Sequence, residues 1–196
     1  YITHLGKDHP LDDAAFDAAA QPVLDAHRAL TDAIIGGNDT AGKLLHETAS
    51  RMSAVGGPIR NVDQMRTALA EVQDLFRHFA ERVRVPSADG LMRAYRLRDV
   101  LIAQSVVLSA MIDYTAHGGH SRGSALYTAA DGEKPANMEE LFRFVPDHNE
   151  LDGVTQEVRW SADGCAASWR DVHPLPEGGG FFENVWREYR ENGSVW

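Results

Sequence analysis

The sequence predicts a mainly α-helical fold: an antiparallel bundle of three to four helices, then a small β-hairpin and a short C-terminal helix. Three observations carry this. Over residues 91–123, LMRAYRLRDVLIAQSVVLSAMIDYTAHGGHSRG, apolar side chains recur at spacings of three, four and seven. Gly-Gly pairs at 36–37, 56–57 and 118–119 follow the apolar-periodic runs, as helix stops do. From Val154 the period changes to two, which is strand alternation. The organisation this implies is a helical bundle over residues 1–130. Residues 131–196 then hold a linker, the hairpin at about 154–172 and a C-terminal tail packed on the bundle.

Taken in order, Tyr1 to Leu11 reads as a leading segment ending at His9-Pro10. A first helix starts near Asp12 or Asp13, whose carboxylates suit a cap. Phe16, Ala20, Val23, Leu24, His27, Leu30, Ile34 and Ile35 give it an apolar face; Pro22 either kinks it or divides it in two. Asp39 or Thr40 opens a second helix, Ala41 to Val55, carrying Leu44, Leu45, Thr48 and Met52. Asn61 or Asp63 caps a third, with Met65, Leu69, Val72, Phe76, Phe79 and Val83 at helical spacing. Ser87 or Asp89 leads into the long helix, whose Leu97, Leu101, Leu108 and Ile112 share one face. Ala125 to Pro135 is small and polar with a turn signal at Asp131-Gly132, and Met138 to Phe144 suits one or two helical turns. Val154–Trp160 and Cys165–Val172 alternate about the turn Ser161–Gly164. His173-Pro174-Leu175-Pro176 leaves extended, Gly178-Gly179-Gly180 breaks the chain, and Phe181 to Glu191 closes it as a helix.

Composition narrows the function classes. A 43% hydrophobic, 24% charged chain of 196 residues is globular rather than disordered. The formal net charge of −10 disfavours nucleic acid and anionic lipid as partners. A single cysteine, Cys165, excludes an internal disulfide and any multi-cysteine metal site, which fits a reducing, cytoplasmic setting. Charged residues interrupt the apolar runs short of the ~20 residues a membrane span needs, and no signal peptide is expected. The chain begins at Tyr1 rather than Met, which reads as a fragment or a processed product.

The candidate sites are thin. Asp113, His117 and His120 have metal-ligand spacing on an unbroken helix, but Gly118-Gly119 should turn His120 away, so no metal site is expected. His46-Glu47 lacks the second histidine of a zinc-protease helix, since position 50 is Ser50. Cys165 has no neighbouring His or Lys to activate it. The Gly-Gly pairs follow helices, whereas a dinucleotide loop follows a strand. The aromatic residues Trp160, Trp169, Phe181, Phe182, Trp186 and Tyr189 read as packing of the tail against the bundle or a partner.

Three stretches carry a resemblance. KLLHETASRMSAVGGPIRN, Lys43 to Asn61, is similar to a helix running into an Ile-Arg-Asn loop. Arg96 to Gly123 is a long helix leading into Ser121-Arg122-Gly123. VRWSADGCAASWRDVHP, Val158 to Pro174, is similar to a hairpin ending in a Trp-Arg-x-Val-x-Pro strand. In this order they resemble the C-terminal region of the fumarate reductase/succinate dehydrogenase flavoprotein family, which includes L-aspartate oxidase.

The resemblance implies the C-terminal helical domain of a FAD-dependent oxidoreductase. Its partner would be a flavin-binding domain of the same or a companion chain, with an electron-transfer subunit as a second partner. FAD is implied for the full-length enzyme, while this chain itself holds no cofactor, catalytic or metal residues. Only Ser121, Arg122 and Gly123 carry over, as an interdomain docking turn. The chain departs from the family at His120, where Glu is common, and at Ser124, Ala125, Leu126 and Tyr127, where a His-x-Arg-x-Asp run is common. It therefore reads as a divergent member. For Arg122 the ordinary alternative is local capping of its own bundle. A free-standing, non-catalytic helical protein-interaction module, open to self-association, is the alternative for the whole chain.

Overall fold

The computed structural model describes residues 13–173 and 180–193. The leading segment through His9-Pro10, a cap at Asp12, the extended exit at Pro174-Leu175-Pro176 and Gly178-Gly179 of the glycine break lie outside the described residues. The chain is mainly helical, 58% helix against 19% strand, as the sequence predicts at that level. Among the described residues there are six α-helices and two two-stranded sheets. They group into two compact units. The first takes the described residues up to Gly57 together with Asp63–Leu108; the second takes Pro58–Val62 and the described residues from Ser109 onward.

In the first unit, α1 (Asp13–Ile34) is one continuous helix with Pro22 inside it, not two. It is held from its last two turns, where the Thr31 and Tyr95 hydroxyls lie 2.9 Å apart and Ile34 is fully buried. Phe16, Val23 and Leu24 on its expected apolar face are exposed instead. Helix α2 (Ala41–Val55) is opened by Asp39, whose carboxylate accepts from the Ala41 and Gly42 amides at 3.1 and 3.4 Å. Thr40 is occupied elsewhere, donating to the Arg82 carbonyl and accepting from the Arg84 amide. Helix α3 (Val62–Arg77) stops at His78, and Phe79–Arg82 forms a separate turn, α4, where the sequence predicts one uninterrupted helix. After a 3-10 turn, α5 (Leu91–Ala116) crosses the core with Leu97, Leu101 and Leu108 buried at their predicted spacing. Met65, Val72 and Leu75 of α3 are buried in the same unit. By length and composition alone, Ala88–Ala116 is apolar enough to cross a membrane. The sequence reading found no such stretch; the charges cluster at 93–99 and leave Val100–Ile112 without any.

The second unit is built on the end of α5 and two small sheets. Strand β1 (Ile59–Arg60) pairs in parallel with the start of β2 (Leu126–Glu133), matching Ile59 to Leu126 and Arg60 to Tyr127. Neither strand is visible as a period-two pattern, and Asp131-Gly132 lies inside β2 rather than at a turn. Strands β3 (Val154–Ser161) and β4 (Gly164–Asp171) form the predicted antiparallel hairpin about Ala162-Asp163. Glu140–Phe142 is the expected short helical turn. Helix α6 (Phe181–Asn192) leaves Phe182 and Trp186 exposed.

Candidate functional site

The last turns of α5 present Ala110, Met111, Asp113 and Tyr114 within the second unit. Gly118-Gly119 ends the helix, and the chain turns through the predicted docking residues. Ser121 bridges to Pro146, while Arg122 and Ala125 exchange both backbone hydrogen bonds at 3.0 Å. Gly123 sits at φ +59°, the left-handed conformation this tight turn requires. The Ser121 hydroxyl accepts from the Tyr127 amide at 2.9 Å, so the turn is fastened to β2 directly.

That fastening brings Tyr127 beside Arg60. The Arg60 Nη1 donates to the Tyr127 hydroxyl at 2.9 Å, and the guanidinium carbon lies 5.3 Å from the ring centroid, a cation–π distance. One residue on, Asn61 Nδ2 donates to Thr128 Oγ1 at 3.2 Å. The Tyr114 and Tyr127 rings stand 5.8 Å apart at 38°. The Tyr114 hydroxyl donates to Asp147 Oδ2 at 2.8 Å and lies 3.0 Å from the His120 carbonyl. Burial first, and the Asp147 carboxylate second, push this phenol up to about 12. Asp147 is held below its ordinary value, first by the Asn149 backbone N–H and then by the Tyr114 hydroxyl. Arg122 donates to Asp152 at 2.5 Å, with Asp147 4.0 Å away. The Asp152 bond raises the guanidinium further above its already high value.

These side chains border an open cleft of about 330 Å³ lined by Arg60, Tyr114, His120, Arg122, Tyr127 and Gln156, with Ala110, Met111 and Ala125 as apolar wall. Its polar groups are guanidinium, phenol, imidazole and amide, over aromatic faces. Among the described residues no Ser, Thr, Cys or Lys lines it, and its guanidinium, phenol and amide groups can bind and orient a polar ligand.

The metal-like trio resolves differently. Asp113 Oδ2 accepts from Gln156 Nε2 and from Trp169 Nε1, each at 2.8 Å, and His117 stacks on Trp169 at 4.8 Å. His120 lies past the helix stop on the cleft. Among the described residues no group of three or more His, Cys, Asp or Glu is gathered to hold a metal. Cys165, half-buried on β4, is a free thiol.

Of the predicted docking residues, only Arg122 reaches the cleft; Ser121 and Gly123 shape the backbone that carries it. Its partners are carboxylates of its own unit rather than the helix carbonyls a capping role would use. Sequence reasoning missed Arg60, Tyr114, Tyr127 and Gln156. The signal for Arg60 was the Ile59-Arg60-Asn61 loop itself; the other three carried none, since they meet only through tertiary pairing. Comparison of the chain with family models, with curated proteins and with solved structures gives no match.

Proposed function

We propose that this chain is the C-terminal helical domain of a FAD-dependent oxidoreductase resembling the fumarate reductase/succinate dehydrogenase flavoproteins. In this reading the helices form an antiparallel bundle that packs against a flavin-binding domain of the same or a companion chain. The flavin and the reacting residues belong to that domain, in a cytoplasmic enzyme, and an electron-transfer subunit is a further partner. Ser121-Arg122-Gly123 is the docking turn.

One observation carries the reading. The three stretches behind the resemblance are far apart in sequence, yet their distinctive ends meet in one compact unit. The Ile59-Arg60-Asn61 loop pairs with the strand that follows Ser121-Arg122-Gly123, and the hairpin is bonded to Asp113 of the helix before it. Motifs that depend on one another in space are expected to persist as a set. A second reading, a free-standing interaction module, draws on the exposed Phe16, Phe182 and Trp186.

The reading frame upstream of the Tyr1 codon tests this. The proposal expects a continuous frame with a strand, a Gly-rich turn and a helix of the flavin-binding kind, and a yellow product when the whole frame is expressed. The 196-residue chain alone should purify colourless. A frame opening immediately before Tyr1, with no flavin-binding stretch in a companion chain, would leave the interaction module. Stoichiometric flavin on the isolated chain would overturn the assignment of the cofactor to another domain. In the full enzyme Arg122→Ala should lower flavin retention; unchanged retention and stability would remove the docking role.

A further inference from the structure

We propose that the cleft between Arg60 and Arg122 is a binding site for a small carboxylate with an apolar body, of the aromatic-acid kind. The inference concerns this chain alone and does not rest on the flavoprotein reading.

Charge comes first. The chain carries 29 acidic and 19 basic side chains, yet among the described residues the cleft wall holds two arginines and a histidine and no carboxylate. Asp147, whose side chain is 3% exposed, is not in that wall: its oxygens are bonded to the Tyr114 hydroxyl and the Asn149 amide, and Oδ1 lies 4.0 Å from Arg122 Nη1. Asp152 is not in that wall and accepts from Nη1 of Arg122. A guanidinium has five N–H donors, so Arg122 keeps its fork for a second oxyanion while Asp152 fixes its direction. Arg60 is likewise held in place, by the hydroxyl and the ring face of Tyr127. Side chains already ordered lose less entropy when a ligand arrives.

The rest of the wall sets the ligand's body. The Tyr114 and Tyr127 rings, Met111, Ala110 and Ala125 are apolar or aromatic, and aromatic faces with a thioether favour a flat partner. The volume, about 330 Å³, lies at the small end of ligand sites, which run from about 300 to 1,000 Å³. Gln156 supplies an amide at the edge, anchored through its Nε2 to Asp113 and to the Ala110 carbonyl. Inorganic phosphate would meet arginine donors and leave the apolar wall wet; a ring bearing a carboxylate matches both parts of the lining.

Titration of the full 196-residue chain with benzoate, followed by backbone amide NMR, tests this. Saturable shifts are expected at His120, Arg122 and Tyr127, with a dissociation constant on the order of 1 mM. Benzamide and inorganic phosphate should each bind at least about tenfold more weakly, the first lacking the charge and the second the body. Arg60→Met and Arg122→Met should each weaken benzoate about tenfold. Should Arg122→Met lose the native spectrum, Tyr127→Phe serves instead, since it removes the hydroxyl that orients Arg60 and keeps the ring. Absence of saturable shifts, equal binding of benzamide or phosphate, or full benzoate affinity in natively folded variants would each overturn the proposal. None of these outcomes bears on the presence of a flavin domain.

Discussion

Trp169 Nε1 and its cross-strand partner Gln156 converge on a single atom, Asp113 Oδ2, each at 2.8 Å. One carboxylate on the last turns of α5 thus holds both strands of the hairpin. A two-stranded hairpin is marginal by itself in water, and this joint is where it leans on a helix. The stacking of His117 on Trp169 covers the same joint.

Asp113→Ala should therefore free the hairpin without melting the helical core. Two donors lose their shared acceptor, at a cost of about 1–3 kcal/mol. Hydrogen exchange at the β3 and β4 amides should accelerate, while amides of Leu97–Leu108 keep their protection. Uniform acceleration across both regions would mean that Asp113 serves the whole fold rather than the joint. Asp113→Asn, which retains an oxygen acceptor, should lie between.

The helices were legible because helical periodicity and Gly-Gly stops are local signals. Leu97, Leu101 and Leu108 are buried where their spacing put them, and the hairpin followed from alternation about Ala162-Asp163. What sequence could not reveal was non-local. Ile59 and Arg60 make a strand only because Leu126 and Tyr127 come alongside, and a two-residue strand has no period to read. Asp113, His117 and His120 had the spacing of metal ligands, but the carboxylate is taken by side chains more than forty residues away. The break at His78 was hidden because Phe79 and Val83 are both buried and keep the helical rhythm across it.

A second joint ties α2 to α5. The buried Thr48 hydroxyl donates to Gln104 Oε1 at 2.7 Å, and Gln104 Nε2 donates back to the Thr48 carbonyl at 3.1 Å. Thr48→Val keeps the shape and strands Oε1, so unfolding by urea should show a loss of about 1–3 kcal/mol. The double variant Thr48→Val/Gln104→Leu should cost less than the sum of the two single changes, because the stranded acceptor goes with it. Additive losses would show that the two side chains are not coupled.

Tyr114 and Asp147 should give stability opposite pH limits. The phenol's folded value, about 12, lies above its ordinary value of about 10. Its contribution is fully present below about pH 10 and is lost as pH rises through about 12. Asp147 is depressed, so its contribution is present above the ordinary carboxylate value, about 3.9, and is lost as pH falls through the lower folded one. Ultraviolet titration of the native chain should show a late tyrosine step from Tyr114. In Tyr114→Phe the late step should vanish, and the Asp147 pKa, followed by carboxyl NMR, should move upward. A late step that survives in Tyr114→Phe would assign it to another tyrosine.

Gly123 and Gly132 should respond to the same substitution for different reasons. At Gly123 an added Cβ meets nothing within 4 Å, but the backbone is left-handed at φ +59°. Gly123→Ala should therefore cost about 1–2 kcal/mol, and Gly123→Asn less, since asparagine tolerates that conformation. At Gly132 a Cβ would lie 2.4 Å from the Phe144 carbonyl carbon, while the Gly132 carbonyl accepts from Arg143 Nη1 at 2.9 Å. Backbone there must separate, so Gly132→Ala and Gly132→Asn should both destabilise, the larger side chain more. Thermal unfolding of the four variants distinguishes the two mechanisms. Asparagine recovering stability at position 123 but not at 132 is the expected pattern. Recovery at both would mean that the contact at Phe144 yields easily.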